Sequence, residues 1–307
     1  MKISAANVKD DFIFSAVQSF NISGKIRADT SLMIYYIHMD IRDIRKTSIP
    51  LCMTAFIMTC CTALLFGCAS NGPAHDTDSL ISGLDIPGSF IKSGYSSEAD
   101  LNFLATFPPE SGRTPGLVVF LHSMEERGNS LHRVYDNPAG EGPGLAKIAL
   151  EDQDFPFITL SPLCPRGTYW TFLHRRLGTL IREFIEEESI DGDRVYLTGV
   201  SMGGMGTWSM AMAQPDLFAG IVPISAAVYS PPIRPRYRRI AEIPALVVHD
   251  LKDPSIPYDK ARKTVQRFQK AGGTAEFVRY DSGEHYIHTN VYRSDMFIAW
   301  LMGVGTE

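Results

Sequence analysis

The sequence predicts an α/β protein with a mostly parallel central sheet flanked by helices, and three observations lead there. Short unbroken apolar runs recur along the body of the chain, at 117–121, 195–200, 220–224 and 245–249. Stretches with helical spacing of apolar residues lie between them, and strands alternating with helices are the pattern of a parallel sheet. A glycine-flanked serine, Gly199-Val-Ser201-Met-Gly203, stands where one run gives way to a helical stretch.

Each element follows from local chemistry. The apolar runs do not alternate with polar residues and are rich in β-branched side chains, which suits strands covered on both faces. Leu177, Leu180, Ile181, Phe184 and Ile185 repeat at helical spacing, as do Ala261, Val265 and Phe268, so each set marks one apolar helix face. Residues 90–107 read as an opening antiparallel hairpin and 290–302 as a closing helix. The loop 137–144, Asn-Pro-Ala-Gly-Glu-Gly-Pro-Gly, is the most pliable interior stretch. No insertion is long enough for a large lid, so an open site is expected. One domain is expected over 84–307.

Composition narrows the function classes. The chain has 307 residues, 45% hydrophobic and 21% charged, with a formal net charge of −5, close to globular averages. An acidic body without Lys and Arg clustered among aromatics does not suit a nucleic-acid partner. Of five cysteines, Cys52, Cys60, Cys61 and Cys68 crowd one N-terminal stretch and Cys164 stands alone in the body. A lone cysteine forms no internal disulfide, and no pair has zinc-ligand spacing with histidines nearby. Neither a metal nor a cofactor is expected.

The N-terminal region reads as an address. Residues 49–66 carry no charge and follow Arg42, Arg45 and Lys46, the layout of a secretory signal, with a spanning helix as the rival. The run ends in Leu65-Phe66-Gly67-Cys68, which resembles the lipobox of bacterial lipoproteins. That resemblance implies cleavage before Cys68 and lipidation of its thiol, with two acyl chains giving a stable membrane anchor. Ala69 then resembles outer-membrane sorting in Gram-negative bacteria, so a cell-envelope location is expected. Met39 offers an in-frame start before the basic region, which would leave 1–38 untranslated; a genuine extension is the alternative. The expected organisation is an export region at 1–67, a tether at 68–83 and a catalytic domain at 84–307.

Gly199-Val-Ser201-Met-Gly203 matches G-x-S-x-G, and its strand-before, helix-after placement is the context the motif requires. The glycines allow a sharp turn that lifts the serine hydroxyl above the sheet, with a helix N-terminus beside it. A serine needs a base and an orienting acid, following in the chain order Ser, Asp, His. Candidates lie just past the ends of two later strands: Asp250 and Asp253 after the run at 245–249, and Asp281 and His285 after that at 276–280. His288 competes with His285, while His122 and His249 end strands and read as structural.

From 117 to 302 the chain resembles the α/β-hydrolase esterases of the phospholipase/carboxylesterase and feruloyl-esterase-like group. Five segments carry the likeness in order: His122-Ser-Met-Glu-Glu-Arg-Gly128, Cys164-Pro-Arg-Gly…Trp170, Gly199-Val-Ser-Met-Gly-Gly-Met-Gly-Thr-Trp208, His249-Asp-Leu-Lys-Asp-Pro-Ser-Ile-Pro257 and Gly283-Glu-His285. The resemblance implies the α/β-hydrolase fold, with Ser201 as nucleophile, His285 as base and Asp253 as acid. It implies oxyanion donors at the amides of Met202 and Met124. For Trp170 and Trp208 it leaves a substrate-pocket and a core role both open, and Cys164 reads as a core thiol. The chain departs from the pattern where Ser123, Glu125 and Asp250 replace glycines. A serine forced to positive φ would cost about 1 kcal/mol and reshape the donor loop.

The expected activity is carboxylic-ester hydrolysis through an acyl-serine, on a small-molecule or oligosaccharide ester, including acylated or feruloylated carbohydrate. A prolyl-oligopeptidase-like peptidase is the second reading. A lipid-tethered, non-catalytic binding protein on a hydrolase scaffold is the third.

Overall fold

A computed structural model describes residues 90–304, apart from 110–113, 138–141, 153 and 230–234. The export region at 1–67, Cys68, the tether at 68–83 and the first residues assigned to the domain lie outside the described residues.

The chain enters through an antiparallel hairpin, β1 (Ile91–Ser96) and β2 (Leu101–Thr106), as its sequence predicts. β3 (Leu117–Leu121) follows. A short helix α1 (His132–Tyr135) leads to a two-stranded ribbon, β4 (Asp136–Asn137) and β5 (Gly142–Pro143), then helix α2 (Leu145–Glu151). The stretch read as pliable therefore begins and ends in paired backbone. β6 (Ile158–Pro162) and helix α3 (His174–Glu187) precede β7 (Val195–Val200) and helix α4 (Met202–Ala213). β8 (Gly220–Ile224), β9 (Ala245–Asp250), helix α5 (Tyr258–Lys270) and β10 (Ala275–Tyr280) complete the sheet. Helices α6 (His288–Tyr292) and α7 (Asp295–Val304) close the chain.

Eight strands form one sheet in the order β1-β2-β6-β3-β7-β8-β9-β10. The six from β6 to β10 along that order run parallel, and only the β1–β2 hairpin is antiparallel to its neighbours. After β3 the chain steps to one side to build β6, then crosses back to place β7 on the other. Neighbouring connections thus part at the carboxyl ends of β3 and β7, where open α/β sheets open a crevice for ligands.

The unbroken apolar runs have their explanation in two cores. Leu117, Val119 and Leu121 of β3 face α3, α4 and α5, packing with Leu177, Leu180, Phe184, Trp208 and Phe268. Val118 and Phe120 point to the opposite face, with Tyr292, Phe297 and Leu301. Both side-chain sets of this central strand are buried, so an unbroken apolar run suits it. At the edge, β10 exposes Glu276 and Arg279, charges that discourage pairing with another chain.

Two features differ from the sequence reading. The sequence does not announce β6, because Thr159 and Ser161 interrupt its apolar run; both are fully buried, and the Thr159 hydroxyl bonds that of Thr106 at 2.6 Å. The closing helix is two helices, since Ser294 caps α7 through a 3.4 Å bond from the Phe297 amide to its Oγ.

Candidate active site

Ser201 is the residue between β7 and α4, and its backbone is held at φ 56°, ψ −115°. Such a conformation costs an L-residue about 1–3 kcal/mol and persists only where the surroundings impose it. Here the Ser201 amide donates to the Ile224 carbonyl at 3.1 Å, and the Ser201 carbonyl accepts the Met205 amide at 2.9 Å. The flanking glycines are steric necessities. A Cβ on Gly203 would lie 1.7 Å from the Leu121 carbonyl oxygen, and one on Gly199 would lie 2.6 Å from Gly203 backbone atoms.

The structure brings Ser201, His285 and Asp253 into one hydrogen-bonded line. Ser201 Oγ is 2.8 Å from His285 Nε2, and His285 Nδ1 is 2.8 Å from Asp253 Oδ2. Asp253 Oδ1 accepts the amides of Ser255 at 2.7 Å and Ile256 at 2.8 Å. Burial alone would raise the Asp253 carboxyl, but the bonds from His285, Ile256 and Ser255 outweigh it and hold the group below its ordinary range. An ionised Asp253 can only accept, so Nδ1 carries the imidazole proton and Nε2 is left to accept the serine hydroxyl. This arrangement can take a proton from Ser201 as its oxygen bonds to carbon.

The remaining rivals have other employment. Asp281 is exposed and paired with Lys252 at 2.7 Å. His288 is buried against the Pro143 carbonyl, and burial pushes it down to about 4. His249 donates from Nε2 to the Ile256 carbonyl at 2.8 Å, bracing the loop that carries Asp253. Asp250 is fully buried and bonded to backbone, as described below. Cys164 is a free, fully buried thiol that burial pushes up to about 12, a poor nucleophile. Among the described residues, no three His, Cys, Asp or Glu side chains converge as a metal ion would need.

Met202 opens α4, so its N–H has no acceptor within the helix and sits at the positive end of the helix dipole. Met124 lies in the loop after β3, a loop tied down at several points. The Cys164 amide donates to His122 Nε2 at 3.0 Å, and the Trp170 indole donates to the His122 carbonyl at 2.9 Å. Arg127 Nε donates to the Met124 carbonyl at 3.1 Å, and its guanidinium covers the Tyr169 ring. The Ser123 hydroxyl donates to the buried Glu126 carboxylate at 2.7 Å. Ser123, Glu125 and Asp250 all lie outside the positive-φ residues, so the strain anticipated for a serine at 123 does not arise.

Trp170 and Trp208 need a correction as pocket-lining residues. Both are fully buried. Trp208 packs edge-on against Tyr237 and Phe268 beneath α4, and Trp170 props His122. Of the two roles left open by the sequence, the core role is the one their positions allow. Sequence reasoning assigned nothing to Glu126 or Ser282; their signals were a carboxylate inside the 122–128 segment and a polar residue beside Gly283, each too common to interpret alone.

The phospholipase/carboxylesterase family model matches residues 173–298, a span that contains Ser201, Asp253 and His285. NocK of Nocardia uniformis subsp. tsuyamanensis, named as an esterase, is 29% identical over 118 residues, covering 32% of this chain and 34% of NocK. A solved thermostable esterase aligns with TM-score 0.59 at 27% identity, over 71% of this chain and 64% of that one. This is an α/β-hydrolase fold. The acylaminoacyl peptidase of Pyrococcus horikoshii shares it, with TM-score 0.54 at 16% identity, over 74% of this chain and 43% of that one. The chain thus spans about a third of NocK and under two thirds of the thermostable esterase. The α/β-hydrolase fold alone accommodates both esterase and peptidase chemistry.

Proposed function

We propose that this α/β-hydrolase is a serine hydrolase that cleaves carboxylic esters through an acyl-serine intermediate. The observation that carries the reading is the unbroken line from Asp253 through His285 to Ser201, with two contacts of 2.8 Å. Ser201 Oγ attacks the ester carbonyl carbon while His285 Nε2 takes its proton. The carbonyl oxygen becomes an oxyanion that the amides of Met202 and Met124 receive. Its collapse breaks the carbon–oxygen bond to the alcohol, which leaves with the proton from His285. A water, deprotonated by the same imidazole, then releases the acid and restores Ser201. Asp253 stays ionised throughout and supports the imidazolium.

The esterase relatives at 27% and 29% identity favour an ester over an amide. On the same reading the substrate is a small-molecule or oligosaccharide ester, including acylated or feruloylated carbohydrate. The enzyme works in the cell envelope, tethered by lipidated Cys68. A fluorophosphonate probe tests the nucleophile: labelling of the folded protein, lost in Ser201→Ala, supports an enzyme, and no labelling returns the binding-protein reading. Hydrolysis of p-nitrophenyl acetate in preference to a prolyl-peptide amide supports an esterase; the reverse preference overturns it in favour of a peptidase.

A further inference from the structure

Asp250 is a buried carboxylate that the reaction above does not use. It is the last residue of β9, paired across the parallel ladder with Tyr280, the last residue of β10. Its side chain is fully buried, yet it makes no ion pair among the described residues. Four neutral donors converge on it. Oδ2 accepts the Ser282 amide at 2.6 Å and the Ser282 hydroxyl at 2.8 Å, and Oδ1 accepts the Lys252 amide at 2.7 Å and the Gly283 amide at 3.1 Å. Three of these four donors belong to the loop that carries His285, while Asp250 itself begins the loop that carries Asp253.

We propose, resting on the serine-hydrolase reading, that Asp250 is a positioning residue that holds the base loop against the acid loop. The carboxylate lies three residues before Asp253, and the amides it grips lie three and two residues before His285. The 2.8 Å bond between Asp253 and His285 spans these two loops, and beyond the end of the β9–β10 ladder Asp250 supplies a buried polar tie between them, whereas the Lys252–Asp281 pair that also joins them is exposed to solvent. Gly283, at φ +78°, turns the chain so that its amide joins that of Ser282 at the carboxylate. A buried carboxylate is tolerated only where such donors repay its lost hydration. Asparagine cannot replace it: one of its two termini would present an N–H₂ to backbone donors. Glycine, the residue that the resemblance places here, would leave the amides of 282 and 283 without this acceptor.

The groups around the clasp are His249, Lys252, Asp253, Asp281 and His285. Lys252 is occupied by Asp281, so a change at Asp250 reaches the imidazole through loop position and not through release of a cation.

The experiment compares Asp250→Asn, Ser282→Ala and the exposed control Asp281→Asn in the whole protein, with p-nitrophenyl acetate hydrolysis, thermal melting and the low-field imidazole proton resonance as readouts. Wild-type labelling by fluorophosphonate is checked first, because its absence would overturn the serine-hydrolase reading itself. With labelling present, Asp250→Asn is expected to lower kcat about 10–100-fold with KM within about twofold, as a misplaced base does. It is also expected to shift the acid limb of the kcat/KM profile and the low-field resonance. Ser282→Ala is expected to lower kcat about 3–10-fold in a protein that still folds. Asp281→Asn keeps the wild-type profile. A folded Asp250→Asn with wild-type kcat, pH profile and resonance overturns the proposal. Should Asp250→Asn fail to fold, a wild-type Ser282→Ala overturns it equally.

Discussion

The imidazole of His122 stands 2.7 Å from the carbonyl oxygen of Ser123, and the tautomer of that ring is settled by its other nitrogen. The Cys164 amide donates to Nε2, so the proton resides on Nδ1 and is given to the Ser123 carbonyl. That carbonyl belongs to the same peptide plane as the Met124 amide. In a trans peptide the two point in opposite directions, so a carbonyl held by His122 turns the Met124 N–H the other way. Ser123 Oγ, bonded to Glu126, ties the same residue at a second point.

Restoring glycine at this position is therefore expected to harm the protein. Ser123→Gly removes a hydroxyl donor from a buried carboxylate, at a cost of about 1–3 kcal/mol in stability. It also loosens the peptide that carries the Met124 amide. A fall in kcat of about tenfold with little change in KM is expected; denaturant melts and steady-state kinetics on the purified variant check both.

Ser201 separates chemistry from strain. Ser201→Ala and Ser201→Gly are both expected to abolish fluorophosphonate labelling. Only glycine relieves the backbone at φ 56°, so Ser201→Gly should melt higher than Ser201→Ala, by an amount equivalent to about 1 kcal/mol. Equal melting temperatures would mean the turn is not strained.

Asp253→Asn keeps the shape of the side chain but presents the wrong group to His285 Nδ1. The imidazole would then favour the tautomer that donates from Nε2, unable to accept the serine proton. A loss in kcat of about 10³–10⁴-fold is expected, with labelling slowed in parallel and the fold intact by circular dichroism.

Gly203→Ala tests the packing of α4 against β3. The added methyl would meet the Leu121 carbonyl at 1.7 Å, where backbone cannot give way cheaply. A loss above about 3 kcal/mol is expected, read as failure to fold or as a large drop in denaturant midpoint.

His122 and His288 make stability pH-dependent. Burial holds both near 4 in the folded protein, below the unfolded value of 6.5. Between pH 6.5 and 4 the unfolded chain takes up protons that the folded one refuses, so stability is full above 6.5 and declines as pH falls towards 4. Each histidine adds a slope approaching about 1.4 kcal/mol per pH unit in that window. Urea midpoints at several pH values should show the decline, and His288→Gln should lessen it, leaving the share that His122 contributes.

The elements that carry the site were legible because their causes are local. A strand buried on both faces is largely apolar, as at Leu117–Leu121, and a turn as sharp as that at Ser201 must be flanked by glycine, as at Gly203. β6 escaped notice because Thr159 finds its partner on Thr106, more than fifty residues away, and nothing near Thr159 in sequence announces it.

By itself the sequence determined the fold class, the alternation of strands and helices in most of the domain, and the residues set at the carboxyl ends of β7, β9 and β10. These depend on periodicity, turn chemistry and motif order, which act between near neighbours. Only the tertiary structure decided which polar groups meet. It set Asp253, the acid that the resemblance implied, 2.8 Å from His285, moved Trp170 and Trp208 into the core, and made Ser123 and Asp250 buried anchors rather than disruptions. Hydrogen-bond partners and burial are properties of segments brought together from far along the chain, and no local pattern encodes them.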